Sequence, residues 1–323
     1  MNDNISTSAG APVVGTAPVR RKKSRKAAVK KLVYVVSRLA LYIFLLDIAF
    51  VFIYPFVFMI LNSLKSPADL MNTAVNWVPT EFYFQNYVLA WKNLNYAHYV
   101  VNSLVVTILP TIGHVLAASF IGYGFARTTA PGKRIFLLIL LLSIIVPTQV
   151  ISIPLYVQFG IFGWHNTYLP LIVPTFLGFG LRGGIFIFIF RQYYQTLPLE
   201  LENAAYIDGC GTFRTYLKII LPLSRTMTLV SVIISMVWHW NDYVESTLYI
   251  TKTEMLPVAA RLPTLLEASK SAFESLEGLV NGTAITQSVV LAGIVLVMLP
   301  ILLVYIVLQR RFIAGIEFTG LVE

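Results

Sequence analysis

Six runs of apolar residues, at roughly 40–62, 99–126, 135–157, 168–190, 227–249 and 285–308, dominate this chain. Each approaches or exceeds the twenty or so residues that a helix needs to cross a hydrocarbon core about 30 Å thick. Lipid offers no partner to an open backbone, so a spanning segment must close its own hydrogen bonds, and a barrel would show alternating segments of about ten residues instead. The runs therefore predict an all-α membrane protein with six transmembrane helices. Composition agrees, because 57% hydrophobic and 12% charged residues leave too little polar surface to cover a soluble globule.

Charge between the runs sets the orientation, since Lys and Arg are retained on the cytoplasmic side. With the N-terminus inside, the inner segments hold 18 of the 24 basic residues and the outer segments hold only Lys65, Lys92, Lys252, Arg261 and Lys270, with Arg182 inside a run. Both termini of this multi-pass membrane protein are therefore expected to be cytoplasmic. Residues 1–38 mix small polar residues with a basic block and read as a disordered cytoplasmic tail. The apolar run that follows is a full span without a small-residue cleavage site, so it is an anchor and not a signal peptide. The net charge of +9 is thus a statement about topology and lipid headgroups, not about nucleic acid. Residues 39–312 form the membrane domain and 313–323 a C-terminal cytoplasmic tail.

The residues offer little chemistry. Cys210 is the single cysteine, no His cluster accompanies it, and no GxxxxGK[ST] phosphate loop occurs, so no metal, no cofactor and no catalytic residue is expected in this subunit. The exception to a bland apolar chain is the long inner loop, 191–226. Within it, Thr196 is placed to cap a short helix, Pro198 suits its first turn, Glu200 and Glu202 complement the positive end of its dipole, and Gly209 stops it. Leu197, Leu201, Ala204, Ala205 and Asp208 fall on one face. A second short helix is expected from about Thr212 to Leu221, with Pro222 ending it and turning the chain.

At these residues the chain resembles the permease subunits of ATP-binding-cassette importers. Their signature is EAA, three residues, Gly, nine residues, then I-x-L-P; here Ala204, Ala205 and Gly209 are followed after nine residues by Ile219, Ile220, Leu221 and Pro222. The family's Glu is Asn203, so a charged contact falls to Glu200, Glu202 or Asp208, or the contact is neutral and hydrogen-bonded. YGFAR at 123–127, PTQV at 147–150, PLY at 154–156, Asn166 and Thr167, WHWNDY at 238–243 and QRRF at 309–312 are similar to the carbohydrate branch, in particular the second member of the maltose-type permease pair. The tail after Gly315 departs from that member's basic, glycine-rich ending.

The resemblance implies an importer permease fold that translocates a sugar or oligosaccharide by alternating access. It implies three kinds of protein partner: a second homologous permease, two ATPase subunits that bind ATP and Mg, and an extracytoplasmic substrate-binding protein. It also implies that Glu200, Leu201, Asn203, Ala204, Ala205, Asp208, Gly209, Ile219, Leu221 and Pro222 couple the chain to an ATPase subunit. A permease for another polar solute and an ion-coupled secondary carrier are the alternatives, the latter disfavoured because no repeat relates the two halves.

Polar residues inside the runs should face a bundle or a wet path, because hydrocarbon penalises them. They are Asp47, His114, Gln149, Arg182, His239, Asn241, Asp242, Glu245 and Gln287. Trp238, Asn241, Asp242 and Glu245 recur at i, i+3, i+4 and i+7, so a continuous helix would present them together. With Gln149 they are the expected cargo path, since amides, carboxylates and aromatic rings suit sugar hydroxyls and ring faces. Interhelical hydrogen bonding is the competing role for this face, and pairing or snorkelling is expected for Asp47 and Arg182. Two outer segments, 63–98 and 250–284, are long enough to meet an external partner or to form a lid.

Overall fold

The computed structural model describes residues 21–320 apart from 73, 75, 76, 181 and 273–284, and the regular structure among them is entirely helical. Residues up to Phe58 form one compact unit and those from Met59 onward a second.

The first unit is the N-terminal part of α1, Arg21–Ser63. It begins at Arg21, within the basic segment that precedes the first apolar run. Ala27, Ala28 and the Lys and Arg residues beside them are strong helix formers, and the apolar run carries the same helix onward. Residues 1–20 lie outside the described residues. Apolar side chains such as Leu39, Leu46 and Phe52 are exposed along α1, a surface suited to lipid.

In the second unit, α2 is Pro67–Met71, α3 Gln85–Leu94, α4 Tyr96–Arg127, α5 Lys133–Ile145, α6 Thr148–Ile161, α7 Leu169–Phe176 and α8 Gly183–Thr196. They are followed by α9 Glu200–Ile207, α10 Thr212–Leu223, α11 Arg225–Trp240, α12 Val244–Tyr249, α13 Leu262–Ala272 and α14 Gln287–Gly320. Among the described residues, three helices are long and apolar enough to cross a membrane unaided, at Val29–Ser63, Tyr96–Arg127 and Gln287–Arg310. Two bent pairs raise the number to five: α5 with α6, bent by 102°, and α10 with α11, bent by 76°.

The bends have local causes. Pro147 forces Val146 into an extended conformation and separates α5 from α6. In α10 the Leu221 N–H reaches back to the Tyr216 carbonyl, a π turn over Tyr216–Ile220 just ahead of Pro222, whose missing N–H disturbs the regular ladder. The helical turns thus run on to Leu223, beyond the expected stop at Pro222. The fourth apolar run is not one helix either, because α7 and α8 are interrupted between Leu177 and Arg182. Helix α14 continues to Gly320.

Helix α4 is the centre of this unit, packing on α7, α8 and α11, while α14 packs on α3, α11 and α13. Small residues let backbones approach: a Cβ on Gly122 would lie 2.8 Å from Phe190 Cβ and 3.0 Å from the Arg191 nitrogen. Ala118, Tyr123, Phe186, Phe190, Tyr194, Tyr216 and Ile220 form a buried cluster that seats α10 against α4 and α8.

Candidate functional site

The 191–226 loop is held by contacts that its own sequence does not display. Thr196 does not cap α9; its hydroxyl donates back to the Tyr193 carbonyl at 2.8 Å, and the residue before α9 is Leu199, which has no capping side chain. Gly209 takes the left-handed conformation at φ +78°, which glycine adopts without steric cost, and Cys210 N–H donates to the Ala205 carbonyl at 2.9 Å to close the helix.

The faces of α9 differ from the expected pattern. Only Ala205 of the Leu197, Leu201, Ala204, Ala205, Asp208 stripe is buried, and Glu202 is buried beside it at 3% exposure. Glu202 is therefore excluded as a surface charge in place of the family's Glu. Its carboxylate accepts from Arg127 Nε at 2.6 Å and from the Tyr123 hydroxyl at 3.0 Å, while Arg127 Nη2 donates to the Leu197 carbonyl at 2.7 Å. Glu200, Leu201, Asn203, Ala204, Asp208 and Gly209 are exposed, and Ile207 projects with them at 86% exposure. Ile219, Leu221 and Pro222 are half-buried instead, turned toward the bundle. Ile207 was missed because it lies off the expected stripe; its signal is a large β-branched residue immediately before the terminating Asp208-Gly209 pair.

Higher in the bundle, the α5–α6 bend and the α7–α8 break enclose a cavity of about 740 Å³ lined in part by Ser143, Thr148, Gln149, Gly180 and Arg182. Gly178, Gly180 and Arg182 all have positive φ, and Arg182, at +56°, is the residue for which this is costly. Its guanidinium lies over the Trp238 ring, which also meets Phe186 edge-on at 5.3 Å between centroids. Glu245 lines an adjoining small pocket with Thr148 and Gly180. The structure thus gathers Gln149, Arg182, Trp238 and Glu245 around one region, and gives Arg182 a place on a cavity wall.

The expected i, i+3, i+4, i+7 face does not form. Helix α11 ends at Trp240, because Asp242 turns its carboxylate onto the start of α12, accepting from Glu245 N–H at 3.1 Å and from Ser246 N–H at 2.9 Å and Oγ at 2.8 Å. Asn241 is exposed and donates its amide to the Val237 carbonyl at 2.8 Å. Below the break, His239 Nε2 lies 3.2 Å from His114 Nδ1, which lies 3.3 Å from Ser235 Oγ, so the two buried histidines join α4 to α11. Before α7, Asn166 Oδ1 accepts from Thr251 N–H and hydroxyl, both at 2.8 Å, and from Lys252 N–H at 3.0 Å.

Similarity to known proteins assigns the family. Residues 114–317 match the binding-protein-dependent transport system inner membrane component family, and the chain belongs to it. A probable starch degradation products transport system permease of Thermoanaerobacterium thermosulfurigenes is 30% identical over 296 residues, covering 90% of this chain and 97% of that protein. The arabinooligosaccharides transport system permease AraQ of Bacillus subtilis is 26% identical, covering 88% of this chain and 96% of its own. Among solved structures, a bacterial ABC transporter involved in import of the acidic polysaccharide alginate contains a chain that superposes with a TM-score of 0.72 at 18% identity, covering 92% of this chain and all of that one. As a member of this family the chain is a transport component, not an ATPase.

Proposed function

We propose that this chain is one of two permease subunits in an ATP-driven importer that carries a sugar or oligosaccharide inward. The observation that carries the reading is the exposed knob of α9, where Leu199, Leu201, Asn203, Ala204, Ile207 and Asp208 stand out from a loop anchored by a buried ion pair. A large apolar side chain such as Ile207, exposed on an aqueous loop, fits a cleft in an ATPase subunit. Counting α7 with α8 as a single interrupted crossing gives six, and the distribution of Lys and Arg favours both termini in the cytosol. ATP and Mg belong to the two ATPase subunits, and a substrate-binding protein delivers cargo to the outer face.

In the proposed cycle, closure of the ATPase pair displaces α9 and the bundle opens outward; cargo biases that equilibrium only through unequal binding to its states. Gln149, Arg182, Trp238 and Glu245 form the proposed cargo wall, with the cavity between the broken helices as this subunit's share of the path. Relatives named for starch products and arabinooligosaccharides support a sugar cargo. The test is reconstitution in vesicles with a second permease, the ATPase and the binding protein. Uptake of a sugar that depends on ATP and on the binding protein is expected, whereas uptake at an equal rate without the ATPase rejects the reading.

A further inference from the structure

We infer that Arg127 and Glu202 are positioning residues that carry the displacement of α9 into α4. The inference rests on the docking role proposed for α9 and goes beyond it by naming where the motion enters the bundle. Helix α9 has only eight residues, and it is flanked by Pro198 on one side and by Gly209 and Gly211 on the other. Those flanks are poor levers, since glycine-rich backbone yields at little cost. Through the chain alone, a push on Ile207 would reach α8 and α10 but not α4.

The side chains supply the missing route. Glu202 sits on the buried face of α9, opposite the exposed knob, and grips Arg127, the last residue of α4, at 2.6 Å. Tyr123, one turn earlier on α4, donates to the other carboxylate oxygen, and Nη2 of Arg127 donates to the Leu197 carbonyl in the linker before α9. One carboxylate thus has two points of attachment on α4, and one guanidinium spans helix and linker. A charge-assisted link in a buried setting is short and directional, and separating it leaves charges without partners, so α9 and the end of α4 move together. Because α4 packs on α7, α8 and α11, motion entering at Arg127 reaches both the α7–α8 break and Trp238.

The test uses the complete reconstituted importer and reads sugar imported per ATP hydrolysed. E202Q, which keeps the shape but removes the charge, should lower this ratio about ten-fold while ATP hydrolysis continues, within the range of ordinary coupling energies; R127K should retain more coupling than R127M. A second arm keeps one assembled protein throughout: R127C with E202C in a C210S background, measured before and after bridging by a short bis-thiol reagent. Uncoupled hydrolysis before bridging and restored import after it is the expected result. Wild-type coupling in the unbridged protein, or in E202Q, would overturn the inference. I207D separates the two levels: if it uncouples while the tie variants do not, only the tie is wrong, and if it too leaves import unchanged, the docking role itself fails.

Discussion

The Arg182 guanidinium lies 4.7 Å from the centroid of the Trp238 ring, joining the break between α7 and α8 to the last turn of α11. An arginine held over an indole keeps its N–H edge available, and the left-handed backbone at Arg182 persists only because its surroundings favour it. Arg182 shares the cavity wall with the polar side chains of Ser143, Thr148 and Gln149.

Replacing Trp238 by leucine removes the ring but keeps an apolar side chain. A cation–π contact is worth about 0.5–2 kcal/mol, so import at limiting loaded binding protein should fall several-fold with assembly unchanged. R182M should fall at least as far. Unaltered import kinetics in both variants would reduce the contact to packing.

At Gly209 the strain and the contacts can be separated. A Cβ there would meet nothing within 4 Å, so any loss on substitution comes from the backbone at φ +78° and not from a clash. Asparagine tolerates this conformation and a β-branched residue does not. G209N should therefore import close to wild type, while G209V hydrolyses ATP with little import, as measured by parallel phosphate-release and uptake assays.

The membrane class of the chain was legible because lipid leaves few alternatives: a run such as 285–308 has to become a helix. The bends were not. Pro147 and the segment from Gly178 to Arg182 sit inside runs whose hydropathy does not register direction, and counting helical positions through Asn241 hid the fact that Asp242 ends one helix and starts another. The loop signature located α9 and its Gly209 stop, yet Glu202 read only as a charge that complements the dipole of α9 or stands in for the family's Glu. Its partner Arg127 lies 75 residues away in sequence, and only the packing of α9 on the end of α4 brings them together.

Asn203, where the family has Glu, is exposed on α9. N203E adds a charge facing solvent or a partner and disturbs nothing buried. The complex should assemble and import at near wild-type rates, as judged by co-purification and uptake. Loss of the ATPase subunits on purification would show a neutral contact at this position.

In α2, Asp69 accepts from the Thr80 hydroxyl at 2.6 Å and from the Thr80 N–H at 3.1 Å. The Thr80 hydroxyl bond is the main cause holding the Asp69 carboxyl below its ordinary value, with the backbone bond adding to it and desolvation opposing. A depressed carboxyl contributes stability that is present above the unfolded pKa, about 3.9, and is lost as pH falls through the lower folded value. Exchange of the Thr80 amide should stay slow from neutral pH down to about 4 and rise below it, beyond the intrinsic pH trend. D69N should exchange faster already at neutral pH; equal protection in both proteins would remove the carboxylate from this role.

Asp242 distinguishes a structural from a cargo role for the motif in which it lies. Its two oxygens accept from the N–H groups of Glu245 and Ser246 and from the Ser246 hydroxyl, which is what the free donors at the start of α12 require. Losing such a cap costs about 1 kcal/mol, whereas asparagine retains an acceptor oxygen. D242A should therefore lower the thermal stability of the purified complex and import less, while D242N keeps most of both. If D242N instead assembles with normal stability and fails to import, the charge itself is needed and Asp242 joins Gln149, Arg182, Trp238 and Glu245 on the cargo wall.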